Sequence, residues 1–323
     1  MNKRYFCVLL LAGGLVRAQD PGLQGPTSGL LYDAPSQAIR LVIGIPGAAY
    51  LGPEVAGGIS SAYVAPGGEA ALAERDGAWY VVTALRGESP VWTPVEELQS
   101  SPRLAAWSAD SRAVVFADDE ARLIRVIKAG DAGGFAVSFD DLPGRVVALA
   151  AGPEGKSVYA ATMEEERGGG IYRSGEQPGW TLMSPTAGAA RLAFSPQGDA
   201  LFAADPARGE LLEFRYPEQA GAFAPAVITL PEPEIPFVAL QLSRDGRKLL
   251  AARGGESPRV DVIDVASHEL AEQVELDTAP AVFERLAGGP HLLLNARTQA
   301  GDVVMILADR PAAFRAFFVP VGE

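Results

Sequence analysis

Along most of the chain, apolar runs of three to five residues alternate with short polar breaks. The clearest unit spans Ala190–Glu213. It has a run at Leu192–Phe194, a turn signal at Ser195–Gly198, a second run at Ala200–Ala204, a polar break at Asp205–Gly209 and a third run at Leu211–Phe214. Strand, tight turn, strand, loop, strand is the reading, with glycine where the reversal needs positive φ and proline where a preset φ helps.

The unit repeats. Its turn recurs as Pro66-Gly67-Gly68, Ala109-Asp110-Ser111, Pro153-Glu154-Gly155, Pro196-Gln197-Gly198, Arg244-Asp245-Gly246 and Ala287-Gly288-Gly289, with third residues 43, 44, 43, 48 and 43 apart. Four strands in about 43 residues is the period of a propeller blade, a small sheet that buries its faces only against its neighbours. The copies run Ser60–Leu98, Pro102–Leu142, Arg145–Pro185, Ala190–Pro231, Val238–Asp277 and Ala281–Pro320. Two further runs, Leu30-Leu31-Tyr32 and Ile39–Ile43, precede them and read as the third and fourth strands of a repeat lacking its first two; Ile45–Gly58 leads into the first complete copy. Open sheet edges invite aggregation, so this orphan pair is expected to close the ring. The expected fold is all-β: a β-propeller of four-stranded antiparallel blades, seven-fold with one incomplete blade, with a six-bladed ring as the alternative. The expected domains are a signal peptide over 1–18, a flexible lead-in over 19–28 and one propeller over 29–323.

Composition agrees. The 36 glycines and 25 prolines of the 323 residues exceed the ~12 % of an average protein and forbid long helices. The first 18 residues pair Lys3 and Arg4 with an apolar stretch too short to span a bilayer and end on the small Ala18, the pattern of a secretory signal. Export to the periplasm or the extracellular space is therefore expected, without membrane insertion. The single cysteine, Cys7, lies inside that segment, which excludes disulfides, zinc–cysteine sites and a cysteine nucleophile from the remainder. Without Lys3, Arg4 and Arg17 the 27 basic residues fall to 24 against 40 acidic ones, a net charge of −16. Such a surface repels phosphate backbones, so no nucleic-acid partner is expected.

Several stretches resemble known propeller repeats. Arg259–Leu276 looks like the YVTN-type repeats of bacterial surface and periplasmic proteins, and the segments Ala193–Asp205 and Gln241–Arg253 look like the strand pairs shared by TolB-like, lactonase-like and WD40-like propellers. The resemblance implies a propeller with a binding face and specifies no activity.

Candidate chemistry lies where each second strand ends: Glu74, Asp118, Thr162, Asp205, Arg253 and Arg297, one per copy. Loops after second strands converge on one face, so these six are expected to form part of a ring, acidic on early blades and basic on later ones, able to seat a zwitterion, a carbonyl compound or a peptide terminus. The bland reading has the same charges paired between blades or solvated. A calcium site drawing on Glu74, Asp118, Asp205 and Asn295 is an alternative, although scattered carboxylates usually hold no metal. His268 and His291 fall in different copies and match no zinc-ligand spacing. No G-x-S-x-G elbow, Walker loop or dinucleotide fingerprint occurs. Trp79 and Trp107 read as packing between blades, with Trp92 and Trp180 on outer strands. The sequence thus favours a monomeric, non-catalytic scaffold binding a protein, peptide or small ligand. The alternative is a lactonase-like hydrolase with Asp118 or Asp205 as base or metal ligand and Arg253 and Arg297 holding the oxyanion.

Overall fold

The computed structural model describes residues 26–320 apart from 88, 97, 99–101, 103, 118–121, 129–134, 142–143, 165–167, 175–178, 189, 216–223, 281–282, 296–301 and 310–312. For 122, 124–128, 135–137, 139–141, 164 and 309 it describes the backbone alone. The described residues form seven antiparallel sheets, each strand hydrogen-bonded to its neighbours in sequence. Sheet I holds β1 (Thr27–Asp33), β2 (Ala38–Ile43) and β3 (Tyr50–Gly57). Sheet II holds β4 (Ser61–Val64), β5 (Ala70–Arg75), β6 (Ala78–Thr83) and β7 (Val91–Pro94). Sheet III holds β8 (Leu104–Trp107), β9 (Ala113–Ala117), β10 (Arg122–Lys128) and β11 (Phe135–Asp141). Sheet IV holds β12 (Val146–Ala151), β13 (Val158–Glu164), β14 (Gly168–Ser174) and β15 (Thr181–Thr186). Sheet V holds β16 (Arg191–Phe194), β17 (Ala200–Asp205), β18 (Glu210–Arg215) and β19 (Ala226–Thr229). Sheet VI holds β20 (Phe237–Leu242), β21 (Lys248–Arg253), β22 (Arg259–Asp264) and β23 (Leu270–Glu275). Sheet VII holds β24 (Glu284–Arg285), β25 (Leu292–Asn295), β26 (Val304–Asp309) and β27 (Phe314–Val319). This is a β-propeller of six four-stranded blades and one three-stranded blade.

The turn between first and second strands shows why the repeat is legible. Ser195 Oγ accepts the amides of Asp199 and Ala200 and donates to Asp199 at 2.6 Å, while Gly198 takes φ +81° to close the reversal. Ser108 and Ser243 do the same in their own turns, each reaching an aspartate two residues on and an amide five residues on. A short polar side chain that satisfies the exposed amides of a reversal, followed by glycine, is a local device that needs no help from tertiary packing.

Packing between sheets then builds the ring. Buried clusters join II to III (Leu72, Trp79, Val114, Phe116), III to IV (Val115, Leu123, Val158), IV to V (Tyr159, Ile171, Leu201), V to VI (Phe202, Leu211, Leu249) and VI to VII (Leu250, Val260, Leu294). Two more join VII to I (Leu31, Val42, Val304, Ile306) and I to II (Ile39, Ala71, Val82), so among the described residues the ring closes by packing between sheets. The paired amides and carbonyls of Leu30 and Ala287 and the Leu51 N–H to Pro320 carbonyl bond, at 3.0 Å, fasten sheets I and VII together.

Sheet I corrects one expectation by one place. Its β3 feeds β4 through residues 58–60 in the way fourth strands feed first strands elsewhere, so Leu30–Tyr32 and Ile39–Ile43 hold the second and third places and Tyr50–Gly57 the fourth. Among the described residues sheet I has no innermost strand. The Gly288 amide of sheet VII donates to the Pro66 carbonyl of sheet II at 2.7 Å, joining the two flanking turns directly.

Candidate functional site

The six inner strands β4, β8, β12, β16, β20 and β24 surround a bore that holds a cavity of about 670 Å³, opening toward the turns that follow those strands. Among the described residues sheet I contributes nothing to its lining. The volume is that of a small-molecule site.

The wall is divided by chemistry. Sheets III, IV and V, consecutive in the ring, contribute Ala105, Ala106, Trp107, Ala109, Leu149, Ala150, Ala151, Leu192, Ala193, Phe194 and Pro196, all uncharged. Every charged group of the described lining comes from the other arc: Arg86 of sheet II, Arg244 of sheet VI, and Glu284 and Arg285 of sheet VII, beside Tyr63 and Gln241. Three guanidiniums and one carboxyl make this the basic part of a chain whose formal net charge is −13.

Each charge has a structural reason for its place. Arg244 is the first residue of the hairpin turn, where sheets II, III, IV, V and VII carry Pro66, Ala109, Pro153, Pro196 and Ala287, and its side chain is exposed at the rim. Arg86, from the turn after β6, lies over the Gly68 and Gly288 turns. A Cβ at Gly288, which sits at φ +74°, would collide with its guanidinium. Its ion pair to Glu69 is long at 3.8 Å, and both partners are more than a third exposed. Arg285 reaches the preceding blade, donating to the Leu242 carbonyl at 2.8 Å. Glu284 is open to water yet surrounded by protein, as befits the wall of a bore. That enclosure pushes its carboxyl above the ordinary range. The nearby Tyr63 phenol is raised first by burial and then by the Glu284 charge, and donates to the Pro102 carbonyl at 3.2 Å. Trp107 completes this side, its indole N–H donating to the Tyr63 carbonyl at 3.0 Å.

Of the residues singled out from the sequence, Glu74, Thr162, Asp205 and Arg253 lie toward the far ends of the second strands, on the face opposite the cavity mouth. Asp118 and Arg297 fall outside the described residues. Glu74, half-buried, receives the Ser60 amide on its backbone carbonyl at 2.9 Å. Thr162 is buried, with Oγ1 accepting the Gly170 amide of the next strand at 3.2 Å. Asp205 is 1 % exposed and accepts the amides of Ala187 at 2.7 Å and Ala207 at 3.1 Å, tying down the loop that enters its own sheet. Arg253 is fully buried. It donates to the carbonyls of Pro231 and Glu232 in the loop that enters sheet VI, lies 3.6 Å from Asp261, and stacks 4.3 Å over the Phe237 ring. Arg259 bridges the same Asp261, at 2.9 Å, to Glu232. Burial holds the Arg253 guanidinium below its ordinary range despite the Asp261 charge. None of Glu74, Thr162, Asp205 and Arg253 lines the cavity. Among the described residues no three His, Asp or Glu side chains converge to hold an ion, and no helix is long and apolar enough to cross a membrane.

The bore residues carry a signal in the sequence. Counting back from the turn, inner strands read Tyr63-Val64, Ala106-Trp107, Ala150-Ala151, Ala193-Phe194 and Gln241-Leu242, and only the last copy reads Glu284-Arg285. A charged pair in an otherwise uncharged inner strand, together with Arg244 at a proline or alanine position, marks the site.

No protein-family model and no curated protein sequence matches the chain. Solved structures do. A candidate 6-phosphogluconolactonase from Bacteroides fragilis superposes with a TM-score of 0.61 at 14% identity, over 93% of this chain and 98% of that one. One from Bacteroides uniformis gives 0.58 at 17%, over 91% and 96%. A chain of a nidogen/laminin complex gives 0.50 at 15%, over 77% and 93%. What they share with this chain is the propeller. At such identities the likeness extends to the fold and no further.

Proposed function

We propose that this is an exported, non-catalytic binding propeller that takes a guest, either a small molecule or the end of a peptide, into its bore from the side of the hairpin turns. One observation carries the reading: a cavity of about 670 Å³ whose charged groups all sit on one arc and whose opposite arc is apolar. A wall so divided offers an apolar guest surface to bury and a few polar groups to orient it, the combination that specific small-ligand sites use. Export rests on the basic and apolar start of the chain and on the confinement of cysteine to Cys7.

The test uses a plug. Ala109 is exposed on the rim at the position where sheet VI carries Arg244, so Ala109→Trp adds bulk at a place that already accepts a long side chain. Thermal melting of wild type and Ala109→Trp against a panel of metabolites and short peptides should give ligands that raise the wild-type Tm and leave the plugged variant unmoved, because only binding to the folded state adds stability. Ligands that stabilise both proteins equally would place binding elsewhere and end the bore reading.

A further inference from the structure

Resting on the bore reading, we infer that the guest is an amphipathic anion, a carboxylate or phosphate head carried on an apolar body, with the head at Arg244 and Arg86 and the body against the alanine-rich arc. The charge balance argues first. The described lining carries three arginines and one glutamate, while the whole chain is acidic by 13 charges, so the bore is locally basic on an acidic chain and favours an anion. Disposition argues next. Arg244 is exposed at the rim, and Arg86 has its guanidinium over the Gly288 turn with, among the described residues, a long contact to Glu69, so both side chains line the cavity and are open to an entering head group. Arginine in that role recognises carboxylate and phosphate through paired N–H donors. The apolar arc supplies the other half of the requirement. Ala150 and Ala193 keep that wall flat and Phe194 and Trp107 deepen it, surface that an inorganic anion would leave wet and an alkyl or aryl chain would cover.

The two head groups share one chemistry, and four probes of equal chain length separate them from each other and from plain hydrophobic binding. Isothermal titration of the full mature protein with octanoate, octyl phosphate, octanol and octyltrimethylammonium should show saturable binding of one or both anions and none of the alcohol or the cation. Arg244→Ala should weaken the anion about tenfold, the scale of one lost charge-assisted contact, and Arg244→Glu more. Both changes lie on an exposed turn residue and leave the circular dichroism spectrum as it was. The preferred anion identifies the head. Octanol or octyltrimethylammonium binding as tightly as octanoate, with Ala109→Trp abolishing it, would overturn the anion and leave the bore reading standing. Probes that bind Ala109→Trp as well as wild type would overturn both. Absence of binding by any probe would overturn the anion, the bore then being judged by the metabolite and peptide panel.

Discussion

The two faces of the ring use charge in opposite ways. On the face where second strands end, Asp205 and Arg253 are buried and hold the loops that enter their own blades. On the face of the hairpin turns, Arg86, Arg244 and Glu284 remain open to water around a cavity. Position in a repeat therefore does not by itself decide whether a charge stabilises or recognises. A charged residue at a strand end finds unpaired loop amides and carbonyls within reach and is consumed by them. On a turn tip the same residue finds its neighbours' ladder already satisfied and stays open for a ligand, whereas on an inner strand Arg285 still reaches the Leu242 carbonyl.

The sharpest way to break this contrast is Arg253→Met. It keeps the apolar stem against Phe237 but leaves Asp261 to Arg259 and Gln273 and strips the Pro231 and Glu232 carbonyls of their donor. Removing one partner of a buried charge pair costs about 3 kcal/mol, so urea unfolding should show a loss of that order with unchanged octanoate affinity in the same variant. A loss under about 1 kcal/mol would mean that the burial is not matched by energetic engagement. Next in size is Asp205→Ala, which leaves the Ala187 and Ala207 amides without acceptors. About 1 kcal/mol is expected from losing two charge-assisted hydrogen bonds whose donors, on exposed residues, water can take over, again with no change at the bore. Weakened anion binding in either variant would show that the two faces are coupled.

Most of the fold was legible in the sequence because its signals are local. The Ser-x-x-Gly turns, the apolar pairs of strands and the 43-residue spacing each follow from contacts made within one blade, and observed strands such as Ala200–Asp205 and Lys248–Arg253 lie where the pattern puts them. Sheet I was harder. Whether Leu30–Tyr32 is a second or a third strand depends on which neighbour it pairs with across the closure, and the bonds between Leu30 and Ala287 join residues more than 250 apart in the chain. The bore was harder still. Alignment by turns groups residues with equal places in the repeat and so draws attention to strand ends, where Asp205 and Arg253 recur in register. The bore's character comes instead from a departure from the repeat, the Glu284-Arg285 pair in one copy and Arg244 in another, lining one cavity with Arg86 where the Gly288 turn of sheet VII bonds to the Pro66 turn of sheet II.

Glu284 gives the smallest effect and the finest discrimination between the faces. Enclosure in the bore raises its carboxyl above the ordinary value of 4.5, so the folded protein holds that proton at pH values where the unfolded chain has released it. A raised acid binds more protons folded than unfolded. Its contribution is therefore harmless below the unfolded value and becomes a growing cost as pH climbs through the folded one. Glu284→Gln removes the cost, so the variant should melt at the same temperature as wild type at pH 4 and at a modestly higher one at pH 8. That is the reverse of what Asp205→Ala should do, since Asp205 stabilises and Glu284 does not. A lower Tm for Glu284→Gln at pH 8 would mean that the carboxylate has a favourable partner in the bore and belongs with the consumed charges of the opposite face. A higher one would show that the ring keeps a carboxyl in its bore at a cost to stability, as binding and catalytic sites do when a group is held ready for a ligand and not for the fold.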